Sequence, residues 1–586
     1  MVDYGWLYGL PTKGGMTPMP ITMTVIPAIA LEISDQNPPL TKISYLNPRN
    51  KITVTMVSDT LYKTIRSSTT ITSHLFENPN EPPGEIATQL YGEEGGPRPL
   101  PKLQENTGRE DLERAYDCGR WGGERPSDLF LAIYRDALLA LENDYLAGMV
   151  SPPLMGSCGV LPLTIISTLP DIASHIANCI ARATTEVYLA TNLWAHGSCT
   201  TLITNALREL SRRAGERGQR RKIAVKVIYD RGDVRQVSKK EKQVTYLWKF
   251  FDNHLIVPPS SYTTGAIKLP APDEIPNIDM QVMNYHRPLL GIFHSKYVII
   301  DRAIALLMSC NLWDTDNVEM MCHFEGPIVD SFYDMALMSW HKTLDPPLPM
   351  LDMPAAVGKW NGNVSGQPSL CQRTSSDSYA TPLSSPSTTH ISTSDKLPPH
   401  TTDDPHYDPD IESEAARVQA SVSPFEQESR MQAVTKHLRG TNEMTVHKMY
   451  TSLDPEQRKN LHVHYYVAKD QTRPINAKFK ERSFKLLIVD DHLSIQGNGN
   501  QDTQSWFHSQ EINVMLDSAA VCAEWKDALR RNQNTEKYGE VSQEDGSWKD
   551  DEGKGVEGAL GWDVGRFSWM WGIVGAFQKV RGVGGF

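Results

Sequence analysis

Two stretches of the chain decide its fold: "FHSKYVIIDRAIALLMSCN", from Phe293 to Asn311, and "RSFKLLIVDDHLSIQGNGN", from Arg482 to Asn500. Laid over one another, Lys296 meets Lys485, Asp301 meets Asp490, Ser309 meets Asn498 and Asn311 meets Asn500, with identical spacing at each step. One position disagrees. His294 in the first copy is Ser483 in the second. Within the first copy, "SKYVIID" and "AIALLMS" are apolar runs of strand length, the pattern of strands buried on both faces.

Upstream of the first copy the pattern is α/β. "PDIASHIANCIARAT" places Ile172, Ile176, Cys179, Ile180 and Ala183 on one helical stripe. "EVYLATNLW" and "KIAVKVIYD" read as strands, and the amphipathic "TLITNALRELSRRA" lies between them, giving a βαβ unit in a parallel sheet. A further helix is predicted at "DLFLAIYRDALLALEND" (128–144). Before it, residues 1–124 are rich in Pro, Gly, Thr and Asn without a sustained period, and predict a poorly structured extension with two strands at most. The lobe from 125 to 348 is followed by a change of character. "QRTSSDSYATPLSSPSTTHISTSD" contains 13 Ser or Thr in 24 residues, so 349–430 reads as a disordered linker that buries too little apolar surface to fold. A second lobe is predicted over 431–535, with a helix at "EMTVHKMYTSL" and a strand at "HVHYYVA", and a tail over 536–586. Only about sixty residues separate the linker from Ser483, too few for a second full βαβ unit, so the second lobe reads as incomplete.

Bulk properties exclude several classes. The 586 residues are 40% hydrophobic and 22% charged with a net charge of −12, which is no global signature of a nucleic-acid binder. Eight scattered cysteines form no C-x-x-C pair, which argues against a zinc cluster or disulfide scaffold and fits a reducing compartment. No run is apolar enough for a spanning helix, and "ITMTVIPAIALEI" (21–33) lacks the features of a signal peptide. The expectation is an intracellular protein, soluble or peripheral to a membrane.

H-x-K-x-x-x-x-D followed by a small polar pair has a chemical reading. A histidine at the mouth of a buried strand attacks phosphorus and forms a phospho-histidine. The lysine two residues on shares its side of the strand and neutralises phosphate oxygens. The hydroxyl and amide of the polar pair donate to the same oxygens, and an acidic side chain fixes the imidazole tautomer. A second set supplies the general acid and base.

These residues resemble the phospholipase D superfamily, and within it the branch of phosphatidylserine/phosphatidylglycerophosphate/cardiolipin synthase-like proteins. "FHSKYVIIDRAIALLMSCNLWDTDNVEMM" resembles the first motif of that branch, and "IQGNGNQDTQSWFHSQEINVM" the tail of the second. The resemblance covers about 125–350 and 436–535. It implies an α/β fold of two phospholipase D-like lobes, with mostly parallel or mixed sheets flanked by helices, the second incomplete. It implies a catalytic set of His294, Lys296, Asp301, Lys485 and Asp490, and phosphate contacts from Ser309, Asn311, Asn498 and Asn500. Glu319 and Glu511 would orient the histidines. The implied activity is phosphodiester cleavage or phosphatidyl transfer on a phospholipid, with no cofactor and no metal ion, and with peripheral membrane contact. Relatives carry histidine where this chain has Ser483. His464, His492 and His508 are the imidazoles nearby in sequence that could replace it, although each also reads as a surface or turn histidine. The alternative class is a catalytically inactive relative that binds phosphate headgroups or partners. A nuclease of the same superfamily fits less well, because the chain is acidic.

"RRAGERGQRRK" (212–222) reads as a solvated helix end rather than an anion-binding patch, and "FSWMWGIVGAFQKVRGVGGF" (567–586) as a terminal strip rather than a membrane anchor. Trace protease is expected to cut within 349–430 before it cuts either lobe. Peptide mapping of the first fragments checks this, and first cuts inside 125–348 would refute the linker assignment.

Overall fold

The structure is a computed structural model. It describes the strands at 7–8 and 21–26 and, with short breaks, residues 57–92, 108–231, 254–285, 293–349, 447–466, 485–499 and 509–549. The strands are β1 (Leu7–Tyr8), β2 (Ile21–Ile26), β3 (Gly156–Ser167), β4 (Glu186–Leu193), β5 (Ile223–Arg231), β6 (His254–Val257) and β7 (Ile278–Tyr285). They continue with β8 (Tyr297–Ile300), β9 (Ile304–Met308), β10 (Glu319–Glu325), β11 (Lys485–Val489), β12 (Leu493–Gly497) and β13 (Asn513–Asp517). The helices are α1 (Asp59–Ile65), α2 (Ile71–Glu77), α3 (Pro83–Tyr91), α4 (Arg109–Asp117), α5 (Asp128–Ala140) and α6 (Leu169–Ala181). After these come α7 (Ser198–Glu216), α8 (Pro259–Tyr262), α9 (Ile328–Trp340), α10 (Pro455–Lys459) and α11 (Ala519–Asn532).

All the strands join one mixed sheet, ordered β11-β12-β13-β2-β3-β10-β9-β8-β4-β5-β7-β6, with β1 also against β3. The β4–α7–β5 unit is parallel, as is β5 with β7, whereas β8, β9 and β10 form an antiparallel meander. Period-two alternation sends Tyr297, Ile299, Ala305 and Leu307 into one core and Val298, Ile300, Leu306 and Met308 into the other. Helices cover both faces: α6 and α7 contribute to the second core, and α1 to α5, α9 and α11 to the first. This is an α/β fold.

The order of strands is symmetric about the β2/β3 pair. On one side β3, β10, β9 and β8 follow one another, and on the other β2, β13, β12 and β11. Beyond β8 the first half continues into β4, β5, β7 and β6, but among the described residues nothing pairs beyond β11. Leu487 on that edge is 54% exposed. Among the described residues the second half therefore ends at β11. Its innermost strand comes from β2, near the start of the chain, which pairs with β13 as β3 pairs with β10.

Two expectations meet a different structure. Among the described residues of 1–124 there are four helices, and Leu61, Ile65, Ile71, Leu75 and Ile86 enter the core. These helices are seven to nine residues long. Helices this short show no sustained period and are held by tertiary packing. Ser58 and Thr70 cap two of them through their hydroxyls. The run at 462–468 is not a strand over 462–464, where it packs Val463 beside Tyr450 and Val541 and shares one backbone bond with Val541. A strand needs a ladder partner, and that segment has none among the described residues. Most of the predicted linker, from 350 to 430, lies outside the described residues, as do 431–446 of the second lobe and 550–586 of the tail.

Asp334 on α9 fixes the N-terminal helices to the sheet. Its buried carboxylate accepts from the Thr72 amide (3.0 Å), the Thr72 hydroxyl (2.7 Å) and the Ser151 amide (2.8 Å). Asp334→Ala leaves these donors unanswered and is expected to cost about 3 kcal/mol. Chemical denaturation measures it, and an unchanged midpoint would mean the donors find other acceptors.

Candidate functional site

The His294 segment enters β8 as an irregular stretch, and its backbone is held from three directions. Phe293 donates its amide to Asp230 Oδ2 at the end of β5 (2.7 Å), and its carbonyl accepts from Asn192 Nδ2 at the end of β4 (2.8 Å). From the second motif, the Gln510 carbonyl accepts the amide of His294 (3.0 Å) and the hydroxyl of Ser295 (3.1 Å). Phe293 and Gln510 form a parallel bridge. The start of the first motif is thus in direct contact with the tail of the second.

Side chains follow this frame. His294 Nδ1 lies 2.7 Å from Glu511 Oε2, and both side chains are nearly inaccessible to solvent. A carboxylate beside Nδ1 makes that nitrogen the donor, which leaves Nε2 with its lone pair. Lys296 is buried and donates to the His294 carbonyl (2.6 Å). Burial pushes the Lys296 ammonium down to about 7, with Lys485 acting in the same direction and Glu511 and Glu319 opposing. Lys485, from β11, is therefore close enough to be felt by Lys296. Ser309 Oγ donates to Glu319 Oε2 at 2.5 Å and accepts the Met320 amide at 2.9 Å. Asn498 joins the halves: its Oδ1 accepts the Ile512 amide (2.9 Å), while Nδ2 faces the carbonyls of Lys296 (3.4 Å) and Met308 (3.3 Å). Asn311 accepts the Leu193 amide through Oδ1 (3.3 Å), which ties this corner to β4.

So His294, Lys296, Ser309, Glu319, Asn498 and Glu511 come together, with Lys485 near and Asn311 at the rim. The aspartates of the motif stand elsewhere. Asp301 and Asp490 open the three-residue connections of the β8–β9 and β11–β12 hairpins, at φ of 50° and 51°. Each is followed by a second positive-φ residue, Arg302 or Asp491, the pattern of a type I′ turn, in which Asp is well tolerated. Each lies five positions along the chain from its lysine, roughly 16 Å of strand. The Asp301 carboxylate accepts the amides of Thr184 and Glu186 (2.8 and 2.9 Å), which anchors the start of β4. The resemblance placed these aspartates with the catalytic set, but the hairpin carries them to its far end.

Ser483, Asn500 and His508 lie outside the described residues. His464 is exposed. His492 pairs with Asp517 (3.1 Å) at the turn end of its hairpin, remote from the site. Sequence reading missed Asp230, Asn192 and Gln510, which fix the His294 backbone. Asp230 and Asn192 each close a strand that the sequence does reveal, and a polar residue at the C-terminal end of a parallel strand is the signal that could have found them. The basic run at 212–222 is consumed locally: Arg212 pairs with Glu209 and Glu216, and Arg213 with Glu209. No helix among the described residues is long and apolar enough to cross a membrane.

No protein-family model and no curated protein matches the sequence. Solved structures similar to it include phosphatidylserine synthase from Haemophilus influenzae, at 13% identity over 64% of this chain and 87% of that one, with a TM-score of 0.33. NucT from Helicobacter pylori is similar at 19% identity over 30% of this chain and 91% of its own, with a TM-score of 0.19. The phospholipase D family member Nuc from Salmonella typhimurium is similar at 15% identity over 31% and 95%, also with a TM-score of 0.19.

The lysine generates a pH dependence. Lys296 is cationic below about 7 and neutral above it, so an anion of fixed charge gains most on the acid side. Dimethyl phosphate, which stays a monoanion across this range, is expected to bind roughly tenfold more weakly at pH 8 than at pH 6. Calorimetric titration reads this, with Lys296→Met flattening the profile. A wild-type profile already flat would show that the lysine does not meet the anion.

Proposed function

We propose that the chain is a phospholipase D-like phosphodiesterase or phosphatidyltransferase, cardiolipin synthase-like in its branch, acting on phospholipids through a phospho-histidine formed on His294. The observation that carries this reading is the buried His294–Glu511 pair at 2.7 Å, which joins a nucleophile of the first motif to a carboxylate of the second. Glu511 holds the proton on Nδ1, so Nε2 attacks phosphorus. The N–P bond forms as the P–O bond to the leaving alkoxide breaks. Lys296 and Lys485 neutralise the phosphoryl oxygens as charge builds. In the second step the oxygen of water or an alcohol attacks phosphorus, the N–P bond breaks, and the imidazole is regenerated.

Ser483 stands at the position where the resemblance places the symmetric histidine. Glu319, the acidic residue of the first motif, accepts instead from Ser309. Both observations support a reaction short of one acid–base group. Loss of such a group lowers the rate by about 10²–10⁴-fold, in protonation of the leaving alkoxide and in activation of the acceptor. The same pair of observations favours a second reading, a phosphate-headgroup binder without turnover.

Labelled phospholipid followed by peptide mapping is expected to find the phosphatidyl adduct on His294. Ser483→His is expected to raise turnover, and His294→Ala to abolish it. No adduct on any histidine, together with retained headgroup binding, would replace the enzyme reading with the binding one.

A further inference from the structure

Away from the His294 site, a second group of chemistry-bearing side chains lies inside the sheet–helix interface. His175 and Cys179 are one turn apart on α6, and His323 points toward them from β10. All three are buried, at 3%, 2% and 0% exposure. His175 Nε2 lies 3.0 Å from His323 Nδ1 and 3.6 Å from Cys179 Sγ, and the three donor atoms fall within 4.8 Å of one another. Tetrahedral zinc with ordinary Zn–N and Zn–S bonds has edges of about 3.3 Å between two nitrogens and about 3.6 Å between nitrogen and sulfur. Two of the edges here are close to those lengths.

The surroundings agree. Glu325 Oε1 lies 2.9 Å from His323 Nε2, so that nitrogen carries the proton and Nδ1 turns its lone pair toward His175 and Cys179. A carboxylate behind a ligating imidazole is the usual way such a ring is oriented. The other Glu325 oxygen, Oε2, is buried and has no hydrogen-bond partner. A buried carboxylate left half-answered calls for positive charge nearby. A dication, the Cys179 thiolate and the Glu325 carboxylate sum to zero, which is the charge a dry interior favours.

We propose that His175, Cys179 and His323 form a buried site for a thiolate- and imidazole-binding dication of the zinc class, oriented by Glu325. Binding takes the proton from the Cys179 thiol and shifts the His175 proton from Nε2 to Nδ1, so that one proton is released and each of the three donors presents a lone pair. The site clamps α6 to β10. Its distance from the catalytic motif is roughly 13 Å of strand, the four residues from Glu319 to His323, so the role is structural and independent of the activity proposed above.

Cobalt(II) chloride titrated into the full chain, in competition with zinc chloride, tests this. The expected result is saturation at one ion per chain, with the visible bands of tetrahedral cobalt and a thiolate-to-cobalt charge-transfer band. Cys179→Ser is expected to lose the charge-transfer band, and Glu325→Gln to weaken binding about 10- to 100-fold. A wild-type chain that gives no tetrahedral cobalt spectrum overturns the proposal whether or not the variants fold. A Cys179→Ser spectrum identical to wild type overturns it as well, and the cluster is then a hydrogen-bonded chain ending on Glu325.

Discussion

A carboxylate withdrawn from water survives only where its charge is met, and Glu511 is met by His294 across 217 residues of chain. That requirement fixes much else. For the two side chains to touch, residues 510–512 must lie along the His294 segment, and the backbone bonds from His294 and Ser295 to Gln510 hold them there. Asn498 then fills the remaining gap by serving carbonyls of the first motif and an amide of the second. The pair is the point at which two half-sheets become a single site.

The sheet explains how the second half reaches that point. The three strands β11, β12 and β13 carry the second motif as an antiparallel meander. β2 pairs with β13 and with β3, so the strand at 21–26 closes the gap between the halves. Trp525 on α11 reinforces the junction, its indole N–H donating to Thr164 on β3 at 3.0 Å. Ser127 does so from α5, through its amide and hydroxyl to the Asp517 carboxylate. In the first half the outer βαβ portion pairs with β8 and receives Asp301, whereas among the described residues β11 has no such neighbour. The equivalent turn residue, Asp490, is exposed.

Elements with long local signals are legible in the amino-acid sequence. α5, α6 and α7 run for 13 to 19 residues with one apolar stripe each, and β4, β5, β8 and β9 are apolar runs bounded by turn residues. The helices between 57 and 118 are not legible there. Each presents one or two apolar residues per turn over two turns, which is too little to separate from loop. Over 462–464 the predicted strand fails for the converse reason: it has β-forming residues but no ladder partner among the described residues. The buried His175–Cys179–His323 cluster is also hidden, because counting cysteine pairs does not register one cysteine that meets a histidine 144 positions later.

The sequence by itself determined the repeat, the lysine and histidine that share one side of a strand, and the polar residues that follow at fixed spacing. These are properties of covalent order and strand periodicity, and both are local. Only the tertiary structure decided that Glu511 serves His294 while Glu319 serves Ser309. It alone carried Asp301 and Asp490 away from the site, and it alone took the inner strand of the second half from residues 21–26. These are questions of which buried group answers which, and they are settled by hydrogen-bond satisfaction over the whole interior rather than by any neighbour in the chain.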